Sequence, residues 1–195
     1  MEGTEYMPLR AGVALAAAAL QVIADDAGVD LLHVKGAAVD EALLARRSVT
    51  DLDTGQTSTL VVPRSSVDAD VLVRPSHVKR LFAAMATHRW TMVYRFEDGS
   101  AFEHASTWIR PGVCPADVHR TFPGIGLPGE RAFDVLWSDR HDIGLAGQSC
   151  PVPSLDAQRL ILILHAVRGG DLGSEDIRLA WTAATDTERA AVDAL

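Results

Sequence analysis

In the stretch PRSSVDADVLV, residues 63–73, two aspartates stand one residue apart at the head of an apolar run. A β-strand turns alternate side chains to one side, so Asp68 and Asp70 project together while Val67, Ala69 and Val71 face the other way. Their α-carbons are then about 6.6 Å apart, from a rise of roughly 3.3 Å per residue. Two carboxylates so placed can swing onto one small hard cation, since magnesium takes oxygen ligands at roughly 2.0–2.1 Å. Without a cation the like charges repel, unless a neighbour such as Arg64 cancels them. On that reasoning Asp70→Asn relieves repulsion and stabilises the cation-free protein. A second Asp-x-Asp pair, Asp51 and Asp53 in DLDTG, has no apolar strand behind it and reads as a turn.

The elements that must hold this pair follow from the alternation of period two with period 3.6. AGVALAAAALQVIA (11–24) reads as an Ala-rich core helix with Val13, Leu20, Val22 and Ile23 inward, ended by Asp25, Asp26 and Gly28. LLHVK (31–35) reads as a short strand, Gly36 as a sharp turn and AAVDEALLARR (37–47) as a second helix. TSTLVV and VDADVLV are strands, and Ser76 is an expected N-cap for HVKRLFAAMATH. WTMVYR and FEHASTWIR flank EDGS, a hairpin signal because Asp-Gly tolerates positive φ. ADVHR (116–120) is one more strand, FPGIGLPGE lies in a loop-rich section, and IGLAGQSCPVP reads as an edge hairpin. SLDAQRLILILHAVRG is a long helix with Ser154 as its expected N-cap, and a short helical tail follows.

Bulk properties narrow the function. At 195 residues, with 48% hydrophobic and 23% charged residues, the chain has the size and composition of one globular domain with a small appendage. A net charge of −8 weighs against an extended nucleic acid as partner. Cys114 and Cys150 have no metal or redox spacing, which points to ordinary thiols in a reduced, cytoplasmic compartment. The apolar N-terminal run imitates a secretory signal, but Glu2 and Glu5 precede it against one Arg10, and it is too short to span a bilayer.

HVKGAA, RSSVDADVLV, ADVHR and VPSLDAQRLILILHA occur in that order. Together they resemble the uncharacterised nucleotidyltransferase family of the polymerase-β-like superfamily, over residues 31 to 169. The resemblance implies an α/β (α+β) fold: a mixed sheet with helices mainly on one face, as a catalytic core over 1–153, and a C-terminal helical segment over 154–195. It implies that Asp68, Asp70 and Asp117 hold one or two Mg²⁺ ions bridging the phosphates of a nucleoside triphosphate, ATP foremost, with Asp117 drawing the acceptor hydroxyl into line. Gly36, opening a helix, would let backbone N–H groups approach a phosphate. Lys35 and Arg64 would neutralise the triphosphate. His119 shares the face of Asp117 by period two, so it either lines the site or is a hydrogen-bonded structural histidine, whereas His165, on an apolar helix, reads as a core histidine.

The chain departs from the wider superfamily where Ala37 and Ala38 follow Gly36, since a phosphate-binding serine is common there. Residues 48–63 are longer than a direct connection needs, and the tail leaves little material for an acceptor pocket, which suggests a second copy or a partner protein. The expected function is transfer of a nucleoside monophosphate to a small molecule, a peptide or protein side chain, or an RNA end. The alternatives are a toxin-like transferase, through Arg64, Ser66, Asp68 and Asp70, and a relic that binds nucleotide or protein without turnover.

Overall fold

The Ala-rich stretch folds as α1 (Leu9–Ala27), which ends where Gly28 adopts φ 63° and donates its N–H to Asp25 O, a left-handed cap that glycine takes at little cost. The computed structural model describes residues 7–99 and 102–195. Beyond α1 come β1 (Leu31–His33), β2 (Ala45–Thr50), β3 (Thr57–Val62), β4 (Ala69–Val73), α2 (Val78–Thr87), β5 (Thr91–Tyr94), α3 (Phe96–Gly99), β6 (Ala105–Ile109) and β7 (Ala116–His119). The chain continues through α4 (Gly129–Ser138), β8 (His141–Leu145), β9 (Gln148–Val152), α5 (Leu155–Arg168), α6 (Glu175–Ile177) and α7 (Asp186–Asp193).

Two compact units result. The first takes residues up to Ala38 together with Ser66–Ser154, and the second takes Val39–Ser65 together with Leu155–Leu195. A single division after residue 153 does not describe this grouping, because the β2–β3 segment folds with the C-terminal helices.

The first unit is built on a mixed five-stranded sheet in the order β1-β4-β7-β6-β5, in which β4 and β7 are parallel and the other neighbours antiparallel. Leu31, Val71, Val73, Ala116, Val118 and Trp108 share one core with Ala16, Ala17, Leu20, Ile23 and Ala24 of α1 and Leu81 and Met85 of α2. Helices α1 and α2 thus cover one face of this mixed sheet. Val22, expected inward, is 45% exposed. It lies about 200° around the helix from both Leu20 and Ala24, and the small alanines set the buried stripe instead. The β8–β9 hairpin closes this unit through Leu145, Cys150 and Val152.

Several local expectations are corrected. The helix over 37–47 is absent: Gly36–Ala38 and Glu41–Leu43 are single 3-10 turns, the latter capped by Asp40, and β2 then pairs with β3 along its full length. Val39 and Leu43 pack on Leu162 and Ala180 of the second unit, so pairing and burial override the helix propensity of Ala, Leu and Arg. Ser76 does not cap α2; it sits inside a 3-10 turn, Pro75–His77, and α2 starts only at Val78. β5 and β6 do pair, but α3 rather than a tight Asp-Gly turn leads out of β5, because Phe96 is buried and stacks on Phe82 at 5.6 Å. Ser100 of that expected turn, like Glu2 and Glu5, lies outside the described residues. Helix α4 was masked in the sequence by the Gly/Pro run ahead of it, although Ala132, Phe133 and Leu136 form a buried stripe at helical spacing. Asp51 does make the expected turn, accepting from the N–H groups of Asp53 and Thr54.

In the second unit, Thr185 and Glu188 form a capping box on α7. Buried Arg159 of α5 pairs with Glu188 and donates to the carbonyls of Leu179 and Ala180 in a π turn, Arg178–Thr182. Cys114 and Cys150 are both free thiols. Among the described residues no helix is long and apolar enough to cross a membrane.

His33 tests the packing of α1 on the sheet. It is 1% exposed, with Nε2 2.9 Å from Gln21 Oε1 of α1. Burial disfavours the imidazolium and lowers its pKa from 6.5 to about 4. Its contribution is therefore full above pH 6.5, where the unfolded ring is also neutral, and is lost as the pH falls through 4. The total is on the order of 3 kcal/mol. Thermal melts across this range should show that loss, and His33→Gln should flatten it; an equally steep decline in the variant would show that another group is responsible.

Candidate active site

Parallel pairing of β4 with β7 sets the register Asp70↔Asp117 and Leu72↔His119. The intervening pairs, Ala69↔Ala116 and Val71↔Val118, belong to the core under α1 and α2. By alternation Asp70, Asp117 and His119 share the opposite face of the sheet, on backbones about 4.8 Å apart. Asp68 lies in the bend just ahead of β4 rather than on the strand.

Each carboxylate has its own donors. Ser66 Oγ donates to Asp68 O at 2.8 Å and to Asp68 Oδ1 at 3.1 Å. Thr107 on β6, opposite Asp117 in the antiparallel ladder, donates from Oγ1 to Asp117 Oδ1 at 2.7 Å. Asp70 Oδ1 receives Lys35 Nζ at 2.6 Å and lies 2.9 Å from His119 Nε2. The His119 tautomer with its proton on Nε2 donates to Asp70 and leaves Nδ1 as a buried, unpartnered lone pair. His104, buried behind it, places its ring 5.3 Å from that of His119.

The electrostatics show how close the three acids are. Burial raises the Asp68 pKa, and the charges of Asp70 and Asp117 raise it further, against the Ser66 hydrogen bond and Lys35. Burial alone would raise Asp70 as well, but the His119 hydrogen bond and Lys35 outweigh it and bring the carboxyl down to about 2. Asp70 is therefore a buried carboxylate whose ionised form is favoured by His119 and Lys35.

The sequence-derived residues divide between the units. Lys35, Gly36, Ser66, Asp68, Asp70, Asp117 and His119 all lie in the first. Arg64 belongs to the second, where its guanidinium pairs with Asp176 and lines a cavity of about 460 Å³ that also includes Leu43, Val62, His165 and Leu179. The charge partner of Asp70 is Lys35, not Arg64. Gly36 opens a three-residue 3-10 turn rather than a helix, so it offers a phosphate no helix N-terminus. Its φ of 49° and the 2.9 Å that would separate a Cβ from Ser66 Oγ show what glycine does here: it makes room for the serine that holds Asp68. Thr107 and His104 were invisible as site residues in FEHASTWIR, because only the register of β6 against β7 puts Thr107 beside Asp117 and Ala105 beside His119.

Three carboxylates within reach of one another's charge are the donor types that a hard divalent cation takes. Among the described residues, however, no three His, Cys, Asp or Glu side chains close around a point as a ligand set. The residues fit such an ion in kind, with Asp70 and Asp117 on one face of the sheet and Asp68 in the bend ahead of it, while their side chains are engaged with Lys35, Ser66, Thr107 and His119.

No protein-family model matches the sequence, and no curated protein does either. The fold is similar to solved structures. The antibiotic-resistance factor ANT(2'')-Ia in solution aligns with a TM-score of 0.59 at 14% identity, over 93% of this chain and 89% of that one. The crystal structure of ANT(2'')-Ia with adenylyl-2''-tobramycin aligns with a TM-score of 0.56 at 14% identity, over 90% of this chain and 91% of that one. With the mixed five-stranded sheet, these superpositions show that the chain shares the fold of ANT(2'')-Ia.

Proposed function

We propose that the protein transfers a nucleoside monophosphate from a nucleoside triphosphate, ATP foremost, to a hydroxyl of a small-molecule acceptor. The observation that carries this reading is the register Asp70↔Asp117, which sets two carboxylates from separate strands side by side with Asp68 close enough to feel both. The adenylylated tobramycin held by one structural neighbour supports a small hydroxylated acceptor, and the net charge of −8 disfavours a long polyanion.

The residues divide the work by their surroundings. Asp68 and Asp70 would hold magnesium, with Asp117 as a further ligand, and the ion would supply neutralisation of charge on the phosphates. The acceptor oxygen attacks the α-phosphorus, the bond from that phosphorus to the bridging oxygen of the β-phosphate breaks, and pyrophosphate leaves with the electron pair. Asp117 would take the hydroxyl proton, and the Thr107 hydrogen bond to Oδ1 would hold its carboxylate in one orientation. His119 keeps Asp70 ionised and fixed in direction. Lys35, once drawn from Asp70, reaches the triphosphate.

Two measurements test this. With Mg²⁺ and ATP the melting temperature should climb as nucleotide is raised, because only the folded state binds it; no response to any of the four nucleotides would remove the enzymatic reading. Asp70→Asn and Asp117→Asn should each lower release of pyrophosphate by roughly a thousandfold, the scale of losing one preorganised charged group. The stability sign also follows from the geometry. Asp70→Asn leaves the Lys35 ammonium buried without its anion, so the variant should be less stable by roughly 3 kcal/mol, opposite to the gain expected from simple repulsion within the Asp pair. Full transfer activity in either variant would place the chemistry elsewhere.

A further inference from the structure

The chain has only two lysines, Lys35 and Lys79. Lys79 is exposed on α2, whereas the Lys35 side chain is 8% exposed and its ammonium lies 2.6 Å from an Asp70 carboxylate that is itself 6% exposed. The backbone holds it there at a cost. Lys35 adopts φ 59°, a left-handed conformation that is strained for a residue with a Cβ. Asp70 clamps the segment at both ends of its own residue: its carbonyl accepts the N–H of Val34 at 3.0 Å, and its carboxylate accepts the ammonium of Lys35. With His119 Nε2 also 2.9 Å from Oδ1, that oxygen has little lone-pair capacity left.

A divalent ion bound to Asp70 would sit roughly 2.0–2.1 Å from a carboxylate oxygen. An ammonium and a dication cannot share that position, since at a few ångströms in a poorly solvated site their repulsion rivals the attraction that holds the ion pair. We propose that Lys35 is a built-in counter-ion that competes with divalent cations for Asp70, so that free cation binds weakly and is admitted together with a triphosphate whose oxygens take over the ammonium. The inference rests on the nucleotidyltransferase reading for the identity of the anion that receives Lys35. The competition itself stands on the ion pair alone.

Binding of Mn²⁺ without nucleotide, followed by calorimetry, should be about tenfold tighter in Lys35→Gln than in the wild type, the scale of removing one competing unit charge. Glutamine retains a hydrogen-bond donor for Asp70 while removing the charge. A second measurement needs no variant. Under reductive methylation of the wild-type protein, Lys79 should react readily and Lys35 slowly, and saturating Mn²⁺ alone should speed modification of Lys35 several-fold as the ammonium is expelled. Equal or weaker Mn²⁺ binding by Lys35→Gln overturns the proposal, as does a Lys35 that reacts as fast as Lys79 or ignores the cation. If Lys35→Gln does not fold, methylation decides. Should ATP raise the melting temperature while Mn²⁺ leaves Lys35 untouched, the counter-ion idea fails and the transferase reading stands. Should Lys35→Gln bind Mn²⁺ more tightly while no nucleotide binds either protein, the counter-ion stands and the transferase reading fails.

Discussion

The charge on Asp70 is the constraint around which the first unit is arranged. A carboxylate taken out of water stays ionised only if donors and a counter-charge offset the lost hydration. Here the offset comes from Lys35 and from the imidazole of His119, two positions brought to Asp70 by different neighbours of β4. β1 runs into Lys35 on one side, and β7 carries His119 on the other. The central place of β4 in the sheet is therefore an electrostatic requirement as well as a packing one. The left-handed backbone at Lys35, the missing Cβ at Gly36 and the Ser66 hydroxyl on Asp68 all follow from bringing that loop against the head of β4.

The same arrangement explains why the two faces of the sheet differ so sharply. On the helix side Val71, Val73 and Val118 pack with alanines of α1, whose small side chains let the helix approach closely. On the other side, beside the apolar Leu72, stand Asp70 of β4 and Asp117 and His119 of β7: Asp117 is held by the Thr107 hydroxyl, and Asp70 by the Lys35 ammonium and the His119 imidazole. Satisfied polar groups of this kind hold their rotamers, which is what the proposed nucleotidyl transfer would need, since such catalysis is mostly positioning and charge stabilisation. The second unit has a different economy: a small cluster of Val39, Leu43, Leu162 and Ala180, and the buried guanidinium of Arg159 tying α5 to Glu188 and to the π turn. Its Arg64–Asp176 pair borders a cavity whose lining also includes Asp171 and Glu175.

Much of this was legible from residue order alone. The apolar run after Asp70, the period-two placing of Asp117 and His119 and the Ala-rich helix depend on patterns within ten residues or so, and local periodicity reports those; the mixed sheet was implied only by the resemblance of the four ordered motifs. Residues 37–47 were not legible for the converse reason. Ala, Leu and Arg favour a helix in isolation, and only a partner strand, TSTLVV, together with apolar cover from α5, turns the segment into two tight turns and β2. The helix after FPGIGLPGE was hidden by the turn residues ahead of it.

The sequence by itself determined the chemistry on offer: which side chains are acids, that Asp68 and Asp70 are spaced to act together, and that a lysine and a glycine precede them at a strand's end. Tertiary structure alone decided which charge meets which. Arg64, near the aspartates in the chain, pairs with Asp176, while Lys35, more than thirty residues away, lies on Asp70. The reason is that an ion pair is fixed by distance in space and by exclusion of water, and both are set by strand register and burial, which no local pattern encodes.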